Sequence, residues 1–144
     1  MLIGQYSSKL TEGSRISIPK IFREELGEEM VISKWYEGSL VLVPKPYWKD
    51  LVKRLTGETR IITSPVRDID RYIYGSAFEV DLDNQGRFVL PEGLRAYANI
   101  ISEVSFIGLG DRIEIWSNER WLELEEIAEE KSSLAIEKIA KRQR

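Results

Sequence analysis

The stretch TEGSRISIPKIFREEL at residues 11–26 returns, altered, as DNQGRFVLPEGLRAYA at residues 83–98. Arg15 aligns with Arg87, Pro19 with Pro91 and Arg23 with Arg95. The apolar pattern repeats more faithfully than the letters. Tyr6 and Phe78, Ile16 and Phe88, Ile18 and Leu90, and Phe22 and Leu94 are apolar in both copies, and Leu10 matches Leu82. Further on, LVLVPKPYWKDL at 40–51 aligns with IEIWSNERWLEL at 113–124, which sets Trp48 on Trp121. The chain is a tandem duplication, and a repeat constrains architecture before any single motif does.

Each copy predicts the same series of elements. Tyr6, Ser8 and Leu10, or Phe78, Val80 and Leu82, share one face of a first strand, and a polar turn follows. Ile16 and Ile18, or Phe88 and Leu90, line one face of a second strand. Pro19 or Pro91 then opens a short helix, where its missing N–H costs nothing. Two more strands are expected in each copy, near 30–33 and 39–43, then near 104–107 and 112–116. GLGDR at 108–112 lacks the spacing of a phosphate loop and reads as a turn. A helix over 47–55 buries Trp48, Leu51, Val52 and Leu55 and stops at Gly57. A connecting helix starts at Ser64 and Pro65 with Val66, Ile69 and Ile73 as its stripe. A longer C-terminal helix is capped by Asn118, with acidic residues near its start and basic ones at its end. One copy of about 45 residues buries too little surface to fold alone, so the two are expected to pack together.

Composition narrows the chemistry. The chain has 144 residues, no cysteine and no histidine. That excludes Ser-His-Asp and Cys-His catalysis and most zinc or haem sites. No apolar run approaches membrane length and no secretory leader is visible, so a cytoplasmic protein is expected. A net charge of −3 is unlike a typical basic DNA-binding domain, so any nucleic-acid surface must be local. The copies differ in this respect. Residues 7–23 balance to +3, residues 79–95 to −2 and residues 131–144 to +4.

The repeated arginines need a reason beyond the core. By alternation Arg15 and Ser17 point away from Ile16 and Ile18, which places Arg15 just after a turn on an open face. An arginine fork there suits a guanine edge or a phosphate, although a solvated or carboxylate-paired arginine would leave the same trace. Arg23 and Arg95 lie one helical turn beyond their prolines and read as ties between helix and core.

With the linker SPVRDIDRYIYGSA and the segment FIGLGDRIEIWSNERW, these stretches resemble the MraZ family of bacterial transcriptional regulators, from residue 1 to about 124. The resemblance implies an α+β fold: two tandem AbrB/SpoVT-type swapped-hairpin units packed into a pseudo-symmetric double-psi-like barrel, with connecting helices and a long C-terminal helix. It divides the chain into SpoVT-AbrB units at 5–47 and 76–119, a helical connector at 48–75 and a C-terminal helix at 120–144. It implies a sequence-specific regulator of the nucleoid, with no catalysis, cofactor, metal, membrane or small-molecule substrate. The partners it implies are double-stranded DNA, as short direct repeats in the promoter of the division and cell-wall cluster, and other copies of the chain in a ring. The family's DNA-contacting motif, Asp-x-x-x-Arg, is present as Asp83 to Arg87. In the first copy Thr11 stands in place of the aspartate and Ser14 in place of the glycine before Arg15, with Gly13 one position earlier. The expected DNA contacts are Arg15, Arg87, Lys9 and Lys20, and the turn-setting residues are Thr11, Gly13, Asp83 and Gly86. The alternative is an antitoxin-like interaction module working through the C-terminal helix. A metal-dependent hydrolase built on Asp81, Asp83 and Asp111 is a remote third reading.

Overall fold

The computed structural model describes residues 1–57 and 64–142. The fold is α+β, with an antiparallel sheet and several helices. In chain order the elements are β1 (Leu2–Lys9), β2 (Arg15–Ser17), α1 (Lys20–Leu26), β3 (Met30–Lys34), β4 (Leu40–Pro44), α2 (Lys45–Thr56) and α3 (Ser64–Ile73). The second copy adds β5 (Phe78–Val80), β6 (Arg87–Val89), α4 (Glu92–Tyr97), β7 (Glu103–Gly110), β8 (Ile113–Ser117) and α5 (Asn118–Arg142).

Strand pairing crosses between the copies. Six strands form one antiparallel sheet in the order β1-β7-β8-β4-β3-β5. The first strand of copy one pairs with copy two, Tyr6 opposite Phe106. The first strand of copy two pairs with copy one, Phe78 opposite Ile32. The short second strands leave the sheet and pair with each other as β2-β6, with Ile16 opposite Phe88. The copies are therefore not side by side; each completes the other.

The core follows from that exchange. One buried cluster draws Ile16, Ile18, Phe22, Ile32 and Leu42 from the first copy and Phe88, Leu90, Leu94, Phe106 and Ile115 from the second. Each such side chain contributes about 1.5–3 kcal/mol when withdrawn from water. A second cluster sits on the opposite face of β3 and β4, where Val31, Val41 and Val43 meet Trp48, Leu51 and Val52 of α2 and Ile73 of α3. Strand β4 is covered on both faces, which explains its unbroken apolar run LVLVP.

Local details depart from expectation at helix starts. Helix α2 begins at Lys45, two residues early, because Pro44 and Pro46 preset its first turn. Helix α5 is capped by Ser117, whose Oγ accepts the N–H of Arg120 at 3.3 Å. The expected cap, Asn118, instead accepts the hydroxyl of Ser105 at 2.8 Å. The expected end of this helix at Arg144 lies outside the described residues. Among the described residues no helix is long and apolar enough to cross a membrane.

Candidate nucleic-acid interface

The β2-β6 ribbon has one face in the core and one in solvent. Ile16 and Phe88 point inward and are buried, while Arg15, Ser17 and Val89 are exposed and Arg87 is half-buried. In register Arg15 stands opposite Val89 and Ser17 opposite Arg87. The arginines of the two copies thus occupy diagonal positions on one outer face, about 7–8 Å apart at their Cα atoms. Two reciprocal bonds extend the ribbon. The N–H of Ile18 donates to Gly86 at 3.1 Å, and the N–H of Leu90 donates to Ser14 at 2.8 Å. The turns of the two copies therefore sit at opposite ends of the same ribbon.

The two turns are built differently. In the second copy Asp83 Oδ1 accepts the N–H groups of Gln85 at 2.8 Å and Arg87 at 3.0 Å. Its Oδ2 accepts Arg87 Nε at 2.9 Å. The N–H of Gly86 donates to the Asp83 carbonyl at 3.0 Å, and Gly86 has φ of +73°. This is a tight turn closed by one left-handed residue. One carboxylate organises the turn and fixes the direction of the arginine.

In the first copy a hydroxyl cannot do the same work. Thr11 Oγ1 donates to the carbonyl of Arg15 at 3.2 Å and takes no N–H from the turn residues. Arg15 Nη1 makes a 3.3 Å contact with the carbonyl of Glu12. Two consecutive residues are left-handed, Gly13 at +76° and Ser14 at +56°. Gly13 takes the left-handed conformation that Gly86 supplies in the other copy, and Ser14 takes it as well.

Gly86 answers to a second constraint that the sequence does not reveal. A Cβ there would lie 2.0 Å from Arg23 Nη1 and 2.5 Å from its Cζ. The guanidinium of Arg23 therefore lies on the turn of the other copy, with its Nε buried and without a hydrogen-bond partner. Arg95 has a different attachment, donating from Nε to the carbonyl of Ile100 at 3.1 Å. Lys20 is the first residue of α1 and is exposed. Lys9 ends β1, opposite Glu103 in register. Of the expected site residues, the structure brings Arg15 and Arg87 together and leaves Lys9 and Lys20 outside the ribbon, on neighbouring elements. Ser17, read as outward-facing from alternation, stands opposite Arg87, and Val89 opposite Arg15; these pairings were missed, because strand pairing between copies leaves no local trace.

The carboxylates of the hydrolase reading are dispersed. Asp83 serves Arg87, while Asp111 pairs with Arg54 and Arg112. Among the described residues no group of three His, Cys, Asp or Glu residues could hold a metal ion.

The Arg87 N–H bond, ahead of any other favourable contact, holds the Asp83 carboxyl below its ordinary range. Its contribution to turn order is fully present above the ordinary aspartate pKa of about 4 and is lost as pH falls through the lowered folded value. Carboxyl NMR titration should give Asp83 a midpoint below that of an exposed aspartate. In Arg87→Ala the midpoint should move upward but stay depressed, since the backbone bonds remain.

The family model described as "MraZ protein, putative antitoxin-like" matches residues 73–143. The chain is 41% identical to the transcriptional regulator MraZ of Syntrophomonas wolfei over 129 residues, covering 90% of each chain. It is 40% identical to the protein of the same name from Clostridium acetobutylicum, covering 94% of this chain and all of that one. With the Caldicellulosiruptor saccharolyticus protein of that name the identity is 38%, over 99% of this chain and 96% of the relative. Similarity this extensive, spanning both copies of the repeat, makes the chain a member of the MraZ family.

Proposed function

We propose that this protein is a sequence-specific DNA-binding transcriptional regulator that acts without catalysis. The observation that carries the reading is the β2-β6 ribbon, which presents Arg15 and Arg87 on one solvent face. A two-stranded ribbon fits the major groove of B-DNA, and an arginine fork matches the O6 and N7 of guanine. Arg87, aimed by Asp83, reads a base. Arg15 contacts phosphate or an adjacent base, and Lys9 and Lys20 hold the flanking phosphates. The printed name of the relatives, transcriptional regulator, supports the same role. The exchange of strands between copies supports reading each copy as a swapped-hairpin unit of a double-psi-like barrel.

The finer reading is that the chain binds short direct repeats in its own promoter region, in the division and cell-wall cluster, as a multi-subunit ring in the nucleoid. The ribbon of one subunit presents only two arginines, Arg15 and Arg87, and the net charge of the chain is −3. Several subunits on one duplex would add their contacts through effective concentration. The test is binding of the purified protein to its own upstream DNA and to a shuffled duplex across a range of salt. Preference for the native duplex, with affinity falling steeply as salt rises, is the expected result. No preference at any salt would defeat the reading.

A further inference from the structure

The outer face of the β2-β6 ribbon carries four side chains, and only two of them are arginines. Ser17 stands opposite Arg87, and Val89 stands opposite Arg15. The repeat makes Arg87 the counterpart of Arg15, and Val89 the counterpart of Ser17. The arginines lie on one diagonal of the face, and two unlike residues lie on the other. Val89 is 56% exposed, while its neighbour Phe88 is buried. A single exposed valine on a protein surface needs no explanation. The position of this one gives it meaning, because it shares a face with the two cations aimed at a DNA groove.

The valine is held as firmly as the arginines. The N–H of Leu90 donates to Ser14 at 2.8 Å, which ties the end of β6 to the other copy. A side chain branched at Cβ is stiff at χ1, so its methyl groups have little freedom to lose on contact. Valine has no polar atom in its side chain and offers a phosphate nothing. In the major groove one base edge offers an apolar group, the C5-methyl of thymine. Arg87 and Val89 lie two residues apart on one strand, about 7 Å. For a strand that follows the groove, that spans about two base-pair steps of about 3.4 Å each. Ser17 differs, since a hydroxyl both donates and accepts and so accommodates any base.

We infer that Val89 is a specificity-determining residue that packs on the methyl group of a thymine, about two base pairs from the guanine read by Arg87. The inference rests on the DNA-binding reading above, and adds to it a second base and a direction. A ribbon with the same outer face in both copies would read a duplex equally well either way round. Val89 selects thymine at one end, whereas Ser17 is permissive at the other, so the ribbon binds in one orientation. Direct repeats, unlike inverted ones, demand a fixed orientation.

Deoxyuridine in place of thymine keeps the base pairing and removes only the methyl group. The test uses the parent protein and its own upstream DNA, with each thymine replaced in turn, and reads affinity by fluorescence anisotropy. Replacement of the contacted thymine should weaken binding roughly fourfold, the worth of one methyl group withdrawn from water. Val89→Ser, which copies Ser17, should weaken binding to the thymine duplex by a similar factor and should no longer distinguish it from the deoxyuridine duplex. Equal affinity of the parent for every substituted duplex, with discrimination against a shuffled duplex retained, would overturn the assignment and leave the DNA reading standing. Sensitivity that persists in Val89→Ser would put another side chain on the methyl group and overturn it too. Failure of the parent to prefer its upstream DNA over the shuffled duplex would defeat the DNA reading, and this inference with it. Val89 points away from the core, so the circular dichroism of Val89→Ser should match that of the parent.

Discussion

Replacing Arg87 with alanine should abolish most discrimination between operator and random DNA, while replacing Arg15 should weaken both. The difference arises from the two turns. Arg87 Nε is held by Asp83 Oδ2 at 2.9 Å, and the same carboxylate fixes the backbone N–H of Arg87. The remaining guanidinium donors are free to meet a base edge, at little entropic cost because the stem is already set. Loss of one such base contact is worth about 1–3 kcal/mol, roughly 5- to 150-fold in affinity. Arg15 has a 3.3 Å contact with the carbonyl of Glu12 and, among the described residues, no carboxylate partner. A looser, exposed cation suits a phosphate, so Arg15→Ala should lower affinity for all duplexes and flatten the salt dependence by about one unit of slope. Fluorescence anisotropy with operator and shuffled duplexes, at several salt concentrations, separates the two. Retained discrimination in Arg87→Ala together with its loss in Arg15→Ala would exchange the roles.

The largest expected effect on stability lies far from the ribbon, at Gly108. It stands opposite Gly4 where β1 joins β7. A Cβ at residue 108 would lie 2.6 Å from Ile3 N, 2.7 Å from Ile3 Cα and 2.7 Å from Leu2 C. These are backbone atoms, so no side chain can rotate away. A valine there must push β1 off the edge of the sheet. With β1 go the buried Leu2 and the edge-on contact of Tyr6 with Phe22, at 5.0 Å between centroids. Gly108→Val should cost about 3 kcal/mol, the upper range for forced overpacking. For a chain of this size that lowers the melting temperature by roughly 10 °C. Gly93 is the control: it lies in α4 with open space around its Cα. Gly93→Ala should leave stability unchanged or raise it by up to about 1 kcal/mol. Equal melting temperatures for Gly108→Val and the parent would mean that β1 does not depend on this approach.

How much of this was legible in the sequence differs between elements. The proline-opened helices were readable, since Pro19 and Pro91 fix their own φ and need no distant partner. Strand β4 was readable because a strand covered on both faces has an apolar residue at every position. The cap of α5 was misassigned. Ser117 and Asn118 are both good caps by type, and the choice fell to Ser105, a residue of β7 that bonds Asn118. The site was only half readable. Alternation placed Arg15 and Arg87 on open faces, but did not place them on the same one.

Sequence by itself determined the duplication, the succession of elements in each copy and, in β2 and β6, the inward direction of Ile16 and Phe88. Those properties come from backbone periodicity and from residues whose conformational preference is their own. Only the tertiary structure decided which strand each strand joins. β1 meets β7, β5 meets β3 and β2 meets β6, each partner drawn from the other copy. An alternating strand pattern is satisfied equally by any neighbour that buries its apolar face, so pairing is chosen by closure of the shared core. That choice brings the two arginines onto one ribbon, lays Arg23 on the Gly86 turn and leaves the far half of α5 exposed.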